Sequence, residues 1–132
     1  MTIPSELFSH AATVLAVQSM ERSLTFYRDQ LGFTVSFTWQ EPITYAVLRR
    51  GDVSVHLTLR DDETRPSSVN TSLYIFVYNV KAVYQELQKQ GVTLPEAPEA
   101  RDYAMEDFDV VDPDGYRISF GESVEAGDVE YP

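Results

Sequence analysis

One pattern of residues occurs twice in this chain, about sixty positions apart, and it limits the available folds more than any other feature. In the second occurrence the β-branched and aromatic run Ser72-Leu73-Tyr74-Ile75-Phe76-Val77-Tyr78 passes at Asn79 into a helical pattern. Asn79 is a good N-cap, Val80, Val83, Tyr84 and Leu87 recur at the three-and-four spacing of one helical face, and Gly91 supplies a left-handed stop. In the first occurrence Ala12 to Val17 leads into the N-cap Ser19, with Met20, Leu24, Tyr27 and Leu31 as the apolar stripe and Gly32 as the stop. Val17 matches Val77, Ser19 matches Asn79, Met20 matches Val80, and Gly32 matches Gly91 once one residue is dropped. After each glycine the chain turns strand-like again. Self-similarity of this kind predicts two copies of one strand–helix–strands unit.

The two copies must share a core, because 132 residues with 43% hydrophobic content suffice for one compact domain and not for two independent ones. Cysteine is absent, which removes disulfides, thiolate nucleophiles and cysteine metal sites and is compatible with a reducing cytoplasm. Met1 to Phe8 lacks the basic start and apolar run of a signal peptide, and no stretch approaches membrane-spanning length, so a soluble, cytoplasmic protein is expected. A net charge of -11 argues against nucleic acid, whose binding rests on neutralising phosphates with Lys and Arg. The same charge favours cationic ligands through the field it creates, unless it serves solubility alone.

In chain order, Met1 to Ser9 reads as an arm or an edge strand. Phe33, Val35, Phe37 and Trp39 alternate with polar residues in a half-buried strand, Thr44 to Leu48 makes the next, Arg49 to Asp52 turns, and Val53 to Leu59 completes the first unit. The second unit repeats the strand and helix, starts a strand at Val92 to Leu94 that Pro95 and Pro98 cut short, and resumes from Met105 to Val111. Asp112-Pro113-Asp114-Gly115 is a turn, and Tyr116 to Phe120 closes the unit. The expected organisation is a single domain over 1–132: module 1 at about 10–60, linker 61–69, module 2 at about 70–121, and an acidic tail over 122–132. The fold class is α+β, with tandem βαβββ modules forming a curved, mixed eight-stranded sheet, a cup, and two helices outside it.

The helix opening Ser19-Met20-Glu21-Arg22-Ser23-Leu24-Thr25-Phe26-Tyr27, the step Leu31-Gly32-Phe33 and the later Phe108-Asp109-Val110-Val111-Asp112-Pro113-Asp114-Gly115 together resemble the vicinal oxygen chelate superfamily. That group includes glyoxalase I, extradiol dioxygenases, fosfomycin resistance enzymes and bleomycin resistance proteins, and the resemblance covers about residues 10–121. It implies a divalent metal in the cup of the enzymes, held by one residue on the first and one on the last strand of each module. The matching positions here are Ala12, His56, Ser72 and Ser119, of which His56 alone is a plausible ligand. The resemblance is therefore closest to the bleomycin resistance type, which binds and sequesters its antibiotic in a cup without a metal. No cofactor and no catalytic residue is expected. The alternative is a small-molecule enzyme of lyase, isomerase or dioxygenase type using His56 or an unrecognised site.

Strand alternation then sorts the residues into faces. Ala12, Val14 and Ala16, Ser54, His56 and Thr58, Ser72, Tyr74 and Phe76, and Arg117 and Ser119 face the cup, while Leu15, Val17, Val55, Leu57, Ile75, Ile118 and Phe120 meet the helices. Trp39 and Tyr45 extend the wall, and Phe37 fits either the wall or the core. The ligand-binding residues expected are His56, Tyr74, Phe76, Trp39, Tyr45, Ser72, Arg117 and Ser119, around a cationic, aromatic small molecule. His56 is open to three readings, as a hydrogen-bonding wall residue, a remnant of a metal site or a base. Glu96, Glu99, Asp102, Glu106, Asp107 and Asp109 read as a solvated loop or as a cation-attracting rim. Open sheet edges predict a homodimer, with the Met1 to Ser9 arm a candidate for exchange.

Overall fold

The computed structural model describes residues 5–62, 66 and 68–124. A 3₁₀ turn at Ser5–Leu7 precedes β1 (Thr13–Val17), α1 (Met20–Leu24), β2 (Thr34–Trp39), β3 (Tyr45–Arg50) and β4 (Val53–Leu59). The second module follows as β5 (Thr71–Phe76), α2 (Val80–Lys89), β6 (Glu99–Ala100), β7 (Met105–Val111) and β8 (Arg117–Ser123). The eight strands divide into two four-stranded mixed sheets, ordered β1-β4-β3-β2 and β5-β8-β7-β6. In each the first and last strands of a module pair in parallel and the rest pair antiparallel, so the duplication read from the sequence is also a duplication of topology.

The helices begin and end for the reasons the repeat supplies. Ser19 and Asn79 are extended, and their side chains accept from the backbone N–H of Arg22 and Ala82, three residues on. Gly32 and Gly91 stop the helices at φ values of 77° and 79°. The extra residue of the first copy is absorbed inside its helix. From Thr25 to Gln30 α1 continues as a π-helix, and the Leu31 N–H bonds five residues back to the Phe26 carbonyl at 2.9 Å. In α2 the Gln90 N–H instead bonds four residues back to Glu86. One wide turn therefore accounts for the single-residue offset between the two glycines.

The inward faces pack as one core. Leu15, Val17, Val55, Leu57, Ile75, Ile118 and Phe120 are all buried in it with the apolar faces of both helices. Phe108 stacks on Phe120 at 5.3 Å and meets the edge of Tyr84.

Several details depart from the sequence reading. Residues 92–94 are not a strand: Val92 is buried beneath the end of α2, and the approach through Pro95 and Pro98 leaves only β6 to pair with β7. Bulges interrupt β2 between Val35 and Phe37 and β5 between Thr71 and Leu73. In β2 the extra residue switches faces, so Phe33 is buried while Phe37 and Trp39 are exposed on the opposite side, away from the core. Glu122, assigned to the tail, belongs to β8, and its carboxylate accepts from the Val80 N–H at the start of α2 at 2.9 Å. Part of the linker, residues 1–4 of the arm and residues 125–132 of the tail lie outside the described residues.

The modules hold each other through their turns. Asp114, fully buried, accepts from the Gln18 N–H at 2.9 Å and Ser23 Oγ at 3.2 Å around the start of α1, and from Arg60, just past β4, at 3.1 Å. Asp112 accepts from Tyr27 Oη at 2.6 Å and from the N–H groups of Asp114 and Tyr116. Tyr116 Oη both donates to the Ala16 carbonyl and accepts from its N–H. The reciprocal contact is Arg50 at the β3–β4 turn, which donates to Glu86 on α2 at 2.5 and 2.9 Å and to the Leu31 carbonyl at 2.9 Å.

Burial pushes the Asp112 carboxyl above the ordinary range, against the pull of the Tyr27 hydrogen bond and the two backbone donors. Tyr27→Phe removes that bond to a charged, buried acceptor and is expected to cost about 1.5–3 kcal/mol in urea unfolding at pH 7. A carboxyl raised in the folded state destabilises it when ionised and is relieved as pH falls through its folded pKa towards the unfolded value of about 3.9. The variant raises Asp112 further, so its deficit relative to wild type narrows on acidification; a deficit that stays constant from pH 7 to pH 4 would refute the assignment.

Candidate functional site

The outer face of the second sheet carries three cross-strand rows. Thr71, Arg117 and Val111 form one, Tyr74, Ser119 and Asp109 the next, and Phe76, Gly121, Asp107 and Glu99 the last. The segment between α2 and β7 bends over this face with Pro95, Glu96, Arg101 and Tyr103. Together they enclose a cleft of about 610 Å³.

The cleft is built around Asp107. Asp107 is 3% exposed, and its carboxylate accepts from Tyr74 Oη at 2.8 Å, Tyr103 Oη at 2.6 Å and Arg101 Nε at 2.7 Å. Burial alone would raise its pKa, but these three donors prevail and hold it below the usual carboxylate range. Burial and the bond to Asp107 push the Tyr74 phenol well above its ordinary value, and the Asp107 bond raises Tyr103 as well. A carboxylate so fully satisfied is a poor base, and phenols so raised are poor acids. Arg101 also reaches Glu99 at 3.4 Å and Glu96 at 3.9 Å, which ties the covering segment to the sheet.

Tyr74 needs Gly121 to reach Asp107. Its ring and hydroxyl occupy the space a Cβ at Gly121 would take, so the ring lies across β8 as a flat wall. Phe76 sits 5.0 Å from it and is 72% exposed. Beneath Tyr74 a polar chain runs from Thr71 to Ser119 at 2.8 Å and from Ser119 to Asp109 at 2.6 Å.

The first sheet presents a different face. Val14, His56, Val47 and Phe37 form one row, and Ala16, Thr58, Tyr45 and Trp39 the next. Tyr45 Oη and His56 Nδ1 share a hydrogen bond of 2.7 Å, with the rings edge to face. Val14, Phe37 and Trp39 are each more than half exposed there, at 55%, 52% and 56%.

Of the residues expected at the site, Tyr74, Arg117 and Ser119 line the cleft and Phe76 flanks it. His56, Tyr45 and Trp39 are grouped on the other sheet, and none of them lines this cleft. Ser72 is displaced: it is the extra residue of the β5 bulge, so Thr71 pairs with Arg117 and takes the wall position. Asp107, Asp109, Arg101 and Tyr103 were not among the expected residues. The signal for the two aspartates was their alternation with Phe108 and Val110, which are buried on the core side of β7. Asp107 thus belongs neither to a solvated loop nor to a rim.

A divalent metal of the kind the resemblance implies does not fit these residues. Ala12 offers no donor atom, Ser119 donates its hydroxyl proton to Asp109, and His56 is bonded to Tyr45. Among the described residues no three His, Asp or Glu side chains converge as a metal site requires. Among the same residues no helix is long and apolar enough to cross a membrane.

Comparison with known proteins agrees with this architecture. A bleomycin resistance protein from Geobacillus stearothermophilus is 29% identical over 128 residues, covering 85% of this chain and 95% of the relative, and one from Staphylococcus aureus matches to the same extent. Among solved structures, a glyoxalase family protein from Bacillus anthracis superposes with a TM-score of 0.73 at 20% identity, covering 92% of this chain and 99% of the other. A glyoxalase/bleomycin resistance protein/dioxygenase from Nocardioides gives 0.72 at 16% identity, over 100% and 91%. Residues 8–120 match the family model described as Glyoxalase/Bleomycin resistance protein/Dioxygenase superfamily, and the chain belongs to that superfamily.

Proposed function

We propose that this chain is a small-molecule-binding protein of the bleomycin resistance type, which holds a cationic aromatic ligand and releases it unchanged. The observation that carries the reading is the make-up of the cleft. Tyr74 and Tyr103 wall it with rings, and Glu96, Asp107 and Asp109 outweigh Arg101 and Arg117 in charge. Its acid–base groups are already committed to one another, which suits holding a ligand more than transforming it. The net charge of -11 raises the local concentration of cations further. The bleomycin resistance relatives point the same way. The enzyme alternative rests on His56, whose hydrogen bond to Tyr45 places an imidazole beside a phenol on the open face of the first sheet.

The homodimer belongs to the same proposal. Val14, Phe37 and Trp39 on one sheet and Phe76 on the other leave large apolar side chains uncovered in a single chain. A second copy would cover them. Absence of a resident metal and a cytoplasmic location complete the proposal.

Isothermal titration with bleomycin, with chromatography of the recovered compound, is expected to show saturable binding with the compound intact. Chemical change in the compound would favour the enzyme reading, and no binding by a folded protein would remove the ligand class. Phe76→Ala is expected to weaken binding by about 0.5–1.5 kcal/mol without lowering stability, since the ring is not packed in the core. Sedimentation equilibrium at micromolar concentration should return twice the mass of one chain; the mass of one chain would exclude the dimer. Elemental analysis of protein purified without chelator should find no stoichiometric transition metal, and about one metal per chain would overturn the metal-free assignment.

A further inference from the structure

The cleft is acidic, yet it contains a cation with donors to spare. Arg101 is saturated by Asp107, with Glu99 and Glu96 behind it. Arg117 is not: its Nε is buried with no acceptor, and its Nη1 reaches Asp109 only at 3.4 Å. Asp109 is served better by Ser119, at 2.6 Å. A guanidinium has five donors in a fixed fork, and a buried donor without an acceptor is unfavourable. The Arg117 side chain is 36% exposed on the cleft wall, so a bound molecule can reach its terminal nitrogens, although not the buried Nε.

The surroundings decide which acceptor fits. A carboxylate against Arg117 would lie among Glu96, Asp107 and Asp109 in a protein that is already strongly negative, and like charges in one cleft repel. A neutral carbonyl oxygen accepts the same hydrogen bonds without that repulsion. Val111, beside Arg117 in its row and exposed, offers apolar surface, and the Tyr74 ring lies one row away. We infer that the ligand of this cleft is a planar aromatic compound bearing a neutral carbonyl or amide oxygen, which accepts from Arg117 while the ring packs against Tyr74 and Val111. This inference rests on the ligand-binding reading above and specifies the ligand by its acceptor.

The test uses three probes with one ring system, measured by isothermal titration against the full chain. These are 2-(aminomethyl)naphthalene, a cation without a carbonyl; 2-naphthylalanine amide, a cation with one; and N-acetyl-2-naphthylalanine, a carboxylate. The amide is expected to bind about fivefold to tenfold more tightly than the amine, and the carboxylate more weakly than either cation. At about pH 6 both amines are protonated and feel the same carboxylates, so their affinity ratio there, compared between wild type and the Arg117 variants, reports on the carbonyl. Arg117→Met should bring that ratio to about one, and Arg117→Lys, which keeps a donor, should retain part of it, with circular dichroism confirming that both variants fold. An amine that binds as tightly as the amide would overturn the inference and leave the cationic aromatic reading standing. An amide advantage that survives Arg117→Met, a carboxylate that binds most tightly, or no binding of any probe would also overturn it. In the last case the bleomycin titration decides separately whether the broader reading fails with it.

Discussion

Two carboxylates that have left water hold this molecule together. Asp112 and Asp114 sit on a turn of the second module, yet most of the donors to their side chains belong to the first, namely Tyr27, Gln18, Ser23 and Arg60, while Asp112 also accepts from two N–H groups of its own turn. Burying a carboxylate is unfavourable unless donors replace its hydration, and here the donors are supplied across the module boundary. The requirement fixes the two halves relative to each other more tightly than apolar packing, because a hydrogen bond loses its strength over a shift of less than an ångström. The core then closes around a geometry the polar groups have specified. Arg50 and Glu86 repeat the arrangement in the other direction on the surface, where solvent screens them and they contribute less.

Much of this architecture could be read in advance, because it rests on local signals. Ser19 and Asn79 as caps, Gly32 and Gly91 as stops, and the alternation that buries Ile118 and Phe120 depend on near neighbours in sequence. The family was legible for the same reason. The site was legible only where the pleat is regular, as at Tyr74, Arg117 and Ser119. A bulge shifts register by one residue and leaves no composition signature, so Ser72 was expected where Thr71 stands, and Phe37 could not be assigned to a face. Asp107 was hidden differently. An aspartate in an acidic stretch looks solvated unless the partners that bury it are known, and Tyr74 joins it only through the fold.

Placing the two sheets in common register shows how the copies have diverged. His56 corresponds to Ser119, Val47 to Asp109, Tyr45 to Asp107 and Trp39 to Glu99. One face carries rings and apolar groups around an imidazole, whereas the other carries carboxylates and the arginines that neutralise them. The buried sides of the same strands have not diverged in kind, since Val55, Leu57, Ile118 and Phe120 answer to the same packing constraint. Chemistry has changed where the pleat faces outward, while the scaffold has kept the pattern that defines it.

The buried turn also sets an order on synthesis. The partners that Asp114 joins lie 54 to 96 residues before it, so the start of α1 leaves the ribosome long before its acceptors exist. At roughly 5–20 residues per second, the first module waits several seconds with Ser23 and the Gln18 N–H bonded to water alone. Contacts of such separation slow folding as well, because the long loop must close before its bonds can form. The nascent first half therefore keeps the Ser23 and Gln18 donors hydrated until the DPDG turn, Asp112 to Gly115, arrives to take the place of the water.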